Sequence, residues 1–247
     1  PLCNIDGLVG AIQHPEDGYI QPADLTQALA TGARNRGAEI YRNTNVVGIK
    51  QTKNGWVVET DKGSIECEHV MSCSGNFARQ TGKMVGLEIP VIPVEHQYIV
   101  TEPHPEIQKR KKEGLPEMGV LRDSDSRWYM REEAGGLILG PYEDGAPCCY
   151  VDGPSKDSEY ELFQEDLDRL APHIEGAIHR VPAFGEVGVK KVYNGAICYT
   201  PDGNPIVGPA WGLKNFWINE GHSCGITAAG GAGWQLADWI VEGEPTS

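Results

Sequence analysis

The chain has 247 residues, with 35 acidic and 21 basic side chains, a formal net charge of −14, 40% apolar residues and 23% charged ones. That is the balance of a globular protein; at roughly 150 residues per domain it fits one large domain or two small ones, long enough to bury a core. So acidic a chain excludes nucleic acid and anionic membranes as expected partners, since both are bound through clustered Lys and Arg, and no apolar run approaches the ~18–20 residues of a bilayer span.

The seven cysteines stand at 3, 67, 73, 148, 149, 198 and 224, without a CxxC. They read as thiols in a reducing compartment. The seven histidines are dispersed and no zinc spacing occurs, so no metal is expected. The opening PLCNIDGLVG is not a signal peptide, and sequence of mid-domain character follows Pro1 directly. The expectation is a fragment or a processed chain.

In chain order, Pro22 suits a first helical turn, and Leu25, Ala28, Leu29, Gly32 and Ala33 mark one apolar helical face that Gly37 terminates. Strands are predicted at Val46–Lys50, Trp56–Thr60 and Ile65–Cys67. Asn54-Gly55 between the first two predicts a type I′ turn. A further strand, His69–Cys73, ends in Ser74-Gly75. The runs Val91–Thr101, Arg127–Arg131 and Gly136–Gly140, separated by polar loops, predict an antiparallel sheet. Lys109-Arg110-Lys111-Lys112 is read as a solvated loop. Ser158 and Glu161 form an S-x-x-E capping box, which predicts a helix over 158–170 that Pro172 ends. The chain closes with a strand at Tyr193–Tyr199, a turn at Thr200–Gly203, a strand at Phe216–Asn219, a glycine-bounded turn and a helix from Ile226 to Gly243.

The strongest local signal for chemistry is FWINEGHSCGITAAGGAG, residues 216–233. A strand entering a helix through Gly221 and Gly225 lets backbone amides approach a ligand, and the helix N-terminus favours a phosphate or the electron-rich edge of a flavin. Helix-on-sheet packing without a ligand accounts for the same spacing. No G-x-G-x-x-G occurs in the chain, so a complete dinucleotide site is not visible. His96 lies within a predicted strand and suits a base, a donor to a carboxylate or a structural residue. Tyr129 and Arg131 are two apart on a strand and share a face, where a phenol and a guanidinium orient an amino acid or simply meet solvent.

Taken together, DGYIQPADLTQALATGA (17–33), SCSGNFARQTGKMVGL (72–87), PVIPVEHQYIVTE (90–102), WYMRE (128–132), ELFQEDLDRL (161–170), YNGAICYTPDGNPIVGP (193–209) and the C-terminal INEGHSCGITAAGGAGWQLADWIVEGEP resemble, in order, the FAD-dependent dimethylglycine and sarcosine dehydrogenase group of the D-amino-acid-oxidase-like oxidoreductases. The resemblance implies a mixed α/β fold: an FAD-binding doubly wound domain over 1–88 and 190–247, incomplete here, and an antiparallel-sheet substrate domain over 89–189. It implies FAD as cofactor, held by Val46, Ser74, Gly75 and the turn Gly221, His222, Ser223, Cys224, Gly225, Ile226 and Thr227. His96 and Tyr129 are implied as catalytic residues, and Arg131 is expected to bind the substrate carboxylate.

The implied reaction is oxidative demethylation of a small N-methylated amino acid by hydride transfer to flavin N5. The implied electron acceptor is a flavoprotein or oxygen, and the one-carbon unit is expected to pass to water or to folate, the latter through a domain absent here. The family's G-x-G-x-x-G unit is expected before Pro1, so this chain by itself is expected to bind FAD weakly or not at all. The implied location is the cytoplasm, or the mitochondrial matrix in a eukaryote. A non-catalytic regulatory or scaffold relative is the alternative reading.

Overall fold

A computed structural model describes residues 2–156 and 158–246. Five α-helices and eleven strands are assigned among them: α1 (Pro22–Arg34), β1 (Val46–Gln51), β2 (Trp56–Thr60), β3 (Gly63–Cys67), β4 (Val70–Ser72), α2 (Ala78–Met84), β5 (Ile92–Thr101), α3 (Pro105–Lys112), β6 (Leu121–Asp123), β7 (Trp128–Glu133), β8 (Gly136–Pro141), α4 (Leu167–Arg180), β9 (Val189–Tyr199), β10 (Ile206–Pro209), β11 (Phe216–Glu220) and α5 (Gly225–Glu242). The fold is mixed α/β, as expected. The chain divides into two compact units, with boundaries inside β5 and β9: residues 2–20, 95–147 and 159–196 form the first, and the remainder the second.

The first unit is built on a five-stranded sheet in the order β6-β7-β8-β5-β9. Alternate residues of a strand point to opposite faces. Trp128, Met130, Leu137, Leu139 and Ile99 therefore form one buried layer, which packs with Leu170 and Ala177 of α4 and with Val181 and Phe184 beyond it. Each such side chain contributes roughly 1.5–3 kcal/mol when fully buried. Gln97 shares this inward row although it is polar, and it is 0% exposed. Its amide is satisfied: Nε2 donates to Glu143 Oε2 at 3.1 Å and to the Asp166 carbonyl at 3.2 Å, and Oε1 accepts from the Asp166 backbone N–H at 2.8 Å.

Two helices differ from the sequence reading. No helix occupies 158–166; α4 starts at Leu167, capped by Asp166, whose side chain accepts from the Arg169 backbone N–H. Pro172 lies inside α4 rather than after its end. Proline forgoes one helical hydrogen bond there, and the buried row Leu170, His173 and Ala177 offsets the loss. The basic run 109–112 is not a loop but the last turn of α3, where cations complement the helix dipole; Pro105 opens that helix and His104 Nδ1 caps it by accepting from the Glu106 N–H.

The second unit carries the antiparallel sheet β1-β2-β3 and the sheet β10-β11-β4, in which β11 and β4 run parallel. Its core gathers Trp56, Ala78, Leu87, Ile89, Val91, Phe216 and Ile218, with the Trp56 and Phe216 rings edge-on at 5.2 Å. The apolar stripe of α1 buries no residue within this unit, and α5 buries Leu236 alone.

The β1–β2 hairpin is not closed by a type I′ turn. Thr52 N–H donates to the Gly55 carbonyl at 2.8 Å, and neither Lys53 nor Asn54 has a positive φ. Gly55 serves a different need, since a Cβ there would lie 2.3 Å from the Cys67 carbonyl oxygen. Gly55→Ala must push β3 away from the hairpin. A loss of about 1–3 kcal/mol in stability is expected, read as a lowered midpoint in thermal or urea unfolding.

Candidate functional site: an aromatic sheet face and a carboxylate-tied turn

The outward row of the five-stranded sheet is aromatic and polar. His96 and Tyr98 of β5, Tyr129 and Arg131 of β7, and Tyr193 of β9 stand on it, with Tyr142 just past the end of β8. The Tyr142 ring lies between the two expected catalytic residues, 5.6 Å from the His96 ring and 6.0 Å from that of Tyr129. Tyr98 and Tyr193 stack at 4.7 Å. Tyr129 pairs across the sheet with Gly140. A Cβ at 140 would sit 2.1 Å from Tyr129 Cζ, so the missing side chain is what lets the Tyr129 ring lie down across β8.

Burial sets the protonation of this face. It pushes the His96 pKa below the ordinary 6.5, with Glu143 opposing the shift, so the imidazole is neutral at pH 7. Burial also pushes Tyr129 above 10, aided by Tyr142 and Tyr98 and opposed by Arg131, so the phenol keeps its proton. Arg131 is engaged already: Nη1 lies 2.5 Å from Glu133 Oε2 and donates to the Glu132 carbonyl at 2.9 Å, while its guanidinium covers the Tyr19 ring at 4.3 Å. Behind the face, Arg169 is held by Glu95, Glu143 and Asp166 at 3.1–3.2 Å, which fixes the start of α4 to the sheet.

In the second unit the carboxyl ends of the parallel strands β4 and β11 are tied by one carboxylate. Glu220, 1% exposed, accepts from Ser72 Oγ at 2.6 Å, from Ser74 N–H and Oγ at 2.7 Å each, and from Gly75 N–H at 2.8 Å. The turn into α5 follows at once. Gly221 has φ +75°, Ser223 N–H returns to the Gly221 carbonyl, and among the described residues no side chain caps the first amides of α5, in the stretch that includes Ile226 and Thr227. His222 Nε2 meets Asn219 Oδ1 at 2.6 Å, while its buried Nδ1 has no hydrogen-bond partner among the described residues. Val46 opens β1, and its ladder with β2 is irregular there.

These features bear on the cofactor. The Ser74 and Gly75 amides are spent on Glu220, so what they offer a ligand is shape rather than donors. The turn from Gly221 into α5 retains an uncapped helix start and the orphaned His222 Nδ1. A helix start favours an electron-rich edge, and a lone imidazole nitrogen accepts from an N–H or O–H. This donor set fits the edge of an isoalloxazine. Cys198, close by, donates to Asn76 Oδ1 at 2.9 Å, and burial first, then Glu220 and Cys149, push its thiol up to about 11. Among the described residues no disulfide joins the cysteines and no cluster could hold a metal ion. Among the same residues no helix is long and apolar enough to cross a membrane.

The structure thus places His96 and Tyr129 about one ring, in the first unit, and the turn 221–227 beside Ser74 and Gly75 in the second. Sequence reasoning missed Tyr142, Gly140 and Glu220. Carrying the β8 parity two residues beyond Gly140 would have found Tyr142. A carboxylate at the end of a predicted strand was the only mark of Glu220.

The fold is one that flavoenzymes share. Residues 1–239 match the DAO family, described as FAD dependent oxidoreductase, and the chain belongs to that family of FAD-dependent enzymes. It is similar to the mitochondrial dimethylglycine dehydrogenase of Rattus norvegicus, 41% identical over 99% of this chain and 29% of that protein. Mitochondrial sarcosine dehydrogenase of Mus musculus is 36% identical over 99% of this chain and 26% of its own length. The chain therefore spans less than a third of either relative. In structure it resembles L-proline dehydrogenase from P. horikoshii, with a TM-score of 0.74 and 25% identity over 91% of this chain and 56% of that one.

Because four donors converge on Glu220, Glu220→Gln turns an amide NH2 toward at least one of them. A loss of about 1–3 kcal/mol is expected. Urea unfolding is expected to show a lower midpoint with an unchanged slope.

Proposed function

We propose that this chain is part of an FAD-dependent enzyme that oxidatively demethylates a small N-methylated amino acid of the dimethylglycine or sarcosine kind. The observation that carries the reading is the pairing of a neutral imidazole with a protonated phenol around the Tyr142 ring. Likeness to dimethylglycine and sarcosine dehydrogenases along nearly the whole chain supports it.

A C–H bond next to nitrogen breaks heterolytically only when the nitrogen lone pair is available, so the amine must be unprotonated. Neutral His96 accepts the ammonium proton as the substrate settles. The Tyr129 hydroxyl then donates to, or accepts from, the polar atoms beside the methyl carbon and holds the lone pair in line. The aromatic rings of this face, Tyr142 among them, favour the developing positive charge. FAD, when bound, supplies the acceptor for the hydride, at flavin N5. Val46, Ser74, Gly75 and the turn Gly221, His222, Ser223, Cys224, Gly225, Ile226 and Thr227 are the residues proposed to hold it. The final electron acceptor, a flavoprotein or oxygen, and folate as taker of the one-carbon unit belong to the same proposal.

The test is anaerobic flavin reduction in the full-length flavin-loaded protein, with dimethylglycine and sarcosine as substrates. His96→Asn and Tyr129→Phe are each expected to slow reduction by about 10²–10⁴-fold; wild-type speed in both variants, or no reduction in the parent, would overturn the reading.

The pH dependence has a defined sign. Because burial lowers the His96 pKa, protonation sets in only as pH falls below 6.5. The profile of kcat/KM is expected to show an acid limb with its midpoint below 6.5, and His96→Asn is expected to abolish that limb.

A further inference from the structure

The carboxylate of the proposed substrate needs a partner, and the sheet offers two guanidiniums on the aromatic face. Arg122 of β6 pairs across the ladder with Tyr129, so both side chains leave the same face. Its guanidinium carbon stands 5.4 Å over the Tyr142 ring, the ring that lies between His96 and Tyr129. A guanidinium resting on an aromatic face keeps its N–H fork free at the edge, which suits a two-pronged grip on a carboxylate.

Charge pairing separates the two candidates. Within this unit Arg127 pairs with Asp144, Arg131 with Glu133, Arg169 with three carboxylates and Arg180 with Asp123. Arg122 alone of the face's arginines has no carboxylate and makes no hydrogen bond among the described residues, although the chain carries 35 acidic side chains. It is also exposed. Arg131 would have to abandon Glu133 and the Glu132 carbonyl to bind an anion. We infer that Arg122, and not Arg131, takes the substrate carboxylate, with Tyr142 as the plate that aligns it with His96 and Tyr129. The inference rests on the demethylase reading and sharpens it: the enzyme selects methylated amino acids over methylated amines that lack a carboxylate through Arg122.

The experiment compares dimethylglycine with N,N-dimethylglycinamide, its analogue without the carboxylate charge, in the full-length flavin-loaded protein. Flavin reduction gives the half-saturating concentration and the limiting rate for each. Arg122→Gln is expected to raise the half-saturating concentration for dimethylglycine by roughly 10–100-fold, the range of a lost charge-assisted contact. The amide should change by less than about threefold, so preference for the acid collapses while the limiting rate holds. Arg122→Lys, which keeps a cation over Tyr142, should recover part of the preference. Arg131→Gln should shift both ligands by the same factor.

An unchanged acid-to-amide ratio in Arg122→Gln, or a collapse in Arg131→Gln, overturns the assignment. Titration of dimethylglycine followed by tyrosine near-ultraviolet circular dichroism separates the two layers of the argument. Binding that depends on Arg122 without flavin reduction keeps the assignment and removes the demethylase reading. Reduction with equal half-saturation in parent and Arg122→Gln does the reverse, and absence of binding removes both.

Discussion

The two-residue period of the strand is the constraint on which the first unit depends. Once Trp128, Met130, Leu139 and Ile99 commit their row to the core under α4, every intervening side chain is delivered to the other face. Tyr129, Arg131, His96 and Tyr98 have no freedom to choose otherwise; a slip of one residue in β7 would bury Arg131 and expose Trp128. The core thus does more than stabilise. It aims the chemistry, and the aim is as secure as the packing behind it. Gln97, the polar intruder in the buried row, takes part in the same fixing. Its amide, the Glu143 carboxylate and the Asp166 backbone lock β5 to the start of α4. Breaking one member would leave a buried charge or donor without its partner, which costs more than the bond itself contributes.

The second unit solves a different problem with one residue. Parallel strands leave their carboxyl ends open, and the loops that follow need a fixed relation before a ligand can be held between them. Glu220 supplies that relation by accepting from both serines of the β4 end and from two backbone amides. The result is a stiff strand end from which Gly221 turns the chain into α5. Rigidity here lies in a hydrogen-bonded carboxylate rather than in apolar packing.

Much of this was legible in the residues. The strand runs around Trp56, Tyr98, Tyr129 and Phe216 stand where alternation and β-branched or aromatic content put them, and parity alone placed Tyr129 and Arg131 on one face. Where local pattern and tertiary packing disagreed, packing won. Ser158 and Glu161 make a respectable capping box, yet the helix begins at Asp166, because the amphipathic row that meets the sheet runs through Pro172 to Ala177. The hairpin at Asn54-Gly55 looked like a turn glycine, and the need it meets is contact with a third strand. Arg122 was out of reach for another reason: β6 has three residues, too few to show a period, so its pairing with Tyr129 exists only in three dimensions. Glu220 and its serines are separated by about 148 residues, and nothing local announces that they meet.

Gly140 carries one more implication. The Tyr129 ring rests where a side chain would otherwise stand, so position 140 acts as the floor beneath the phenol. Any side chain at 140 would displace the ring, and the hydroxyl with it. Where Tyr129 stands is thus decided by what the strand next door leaves out.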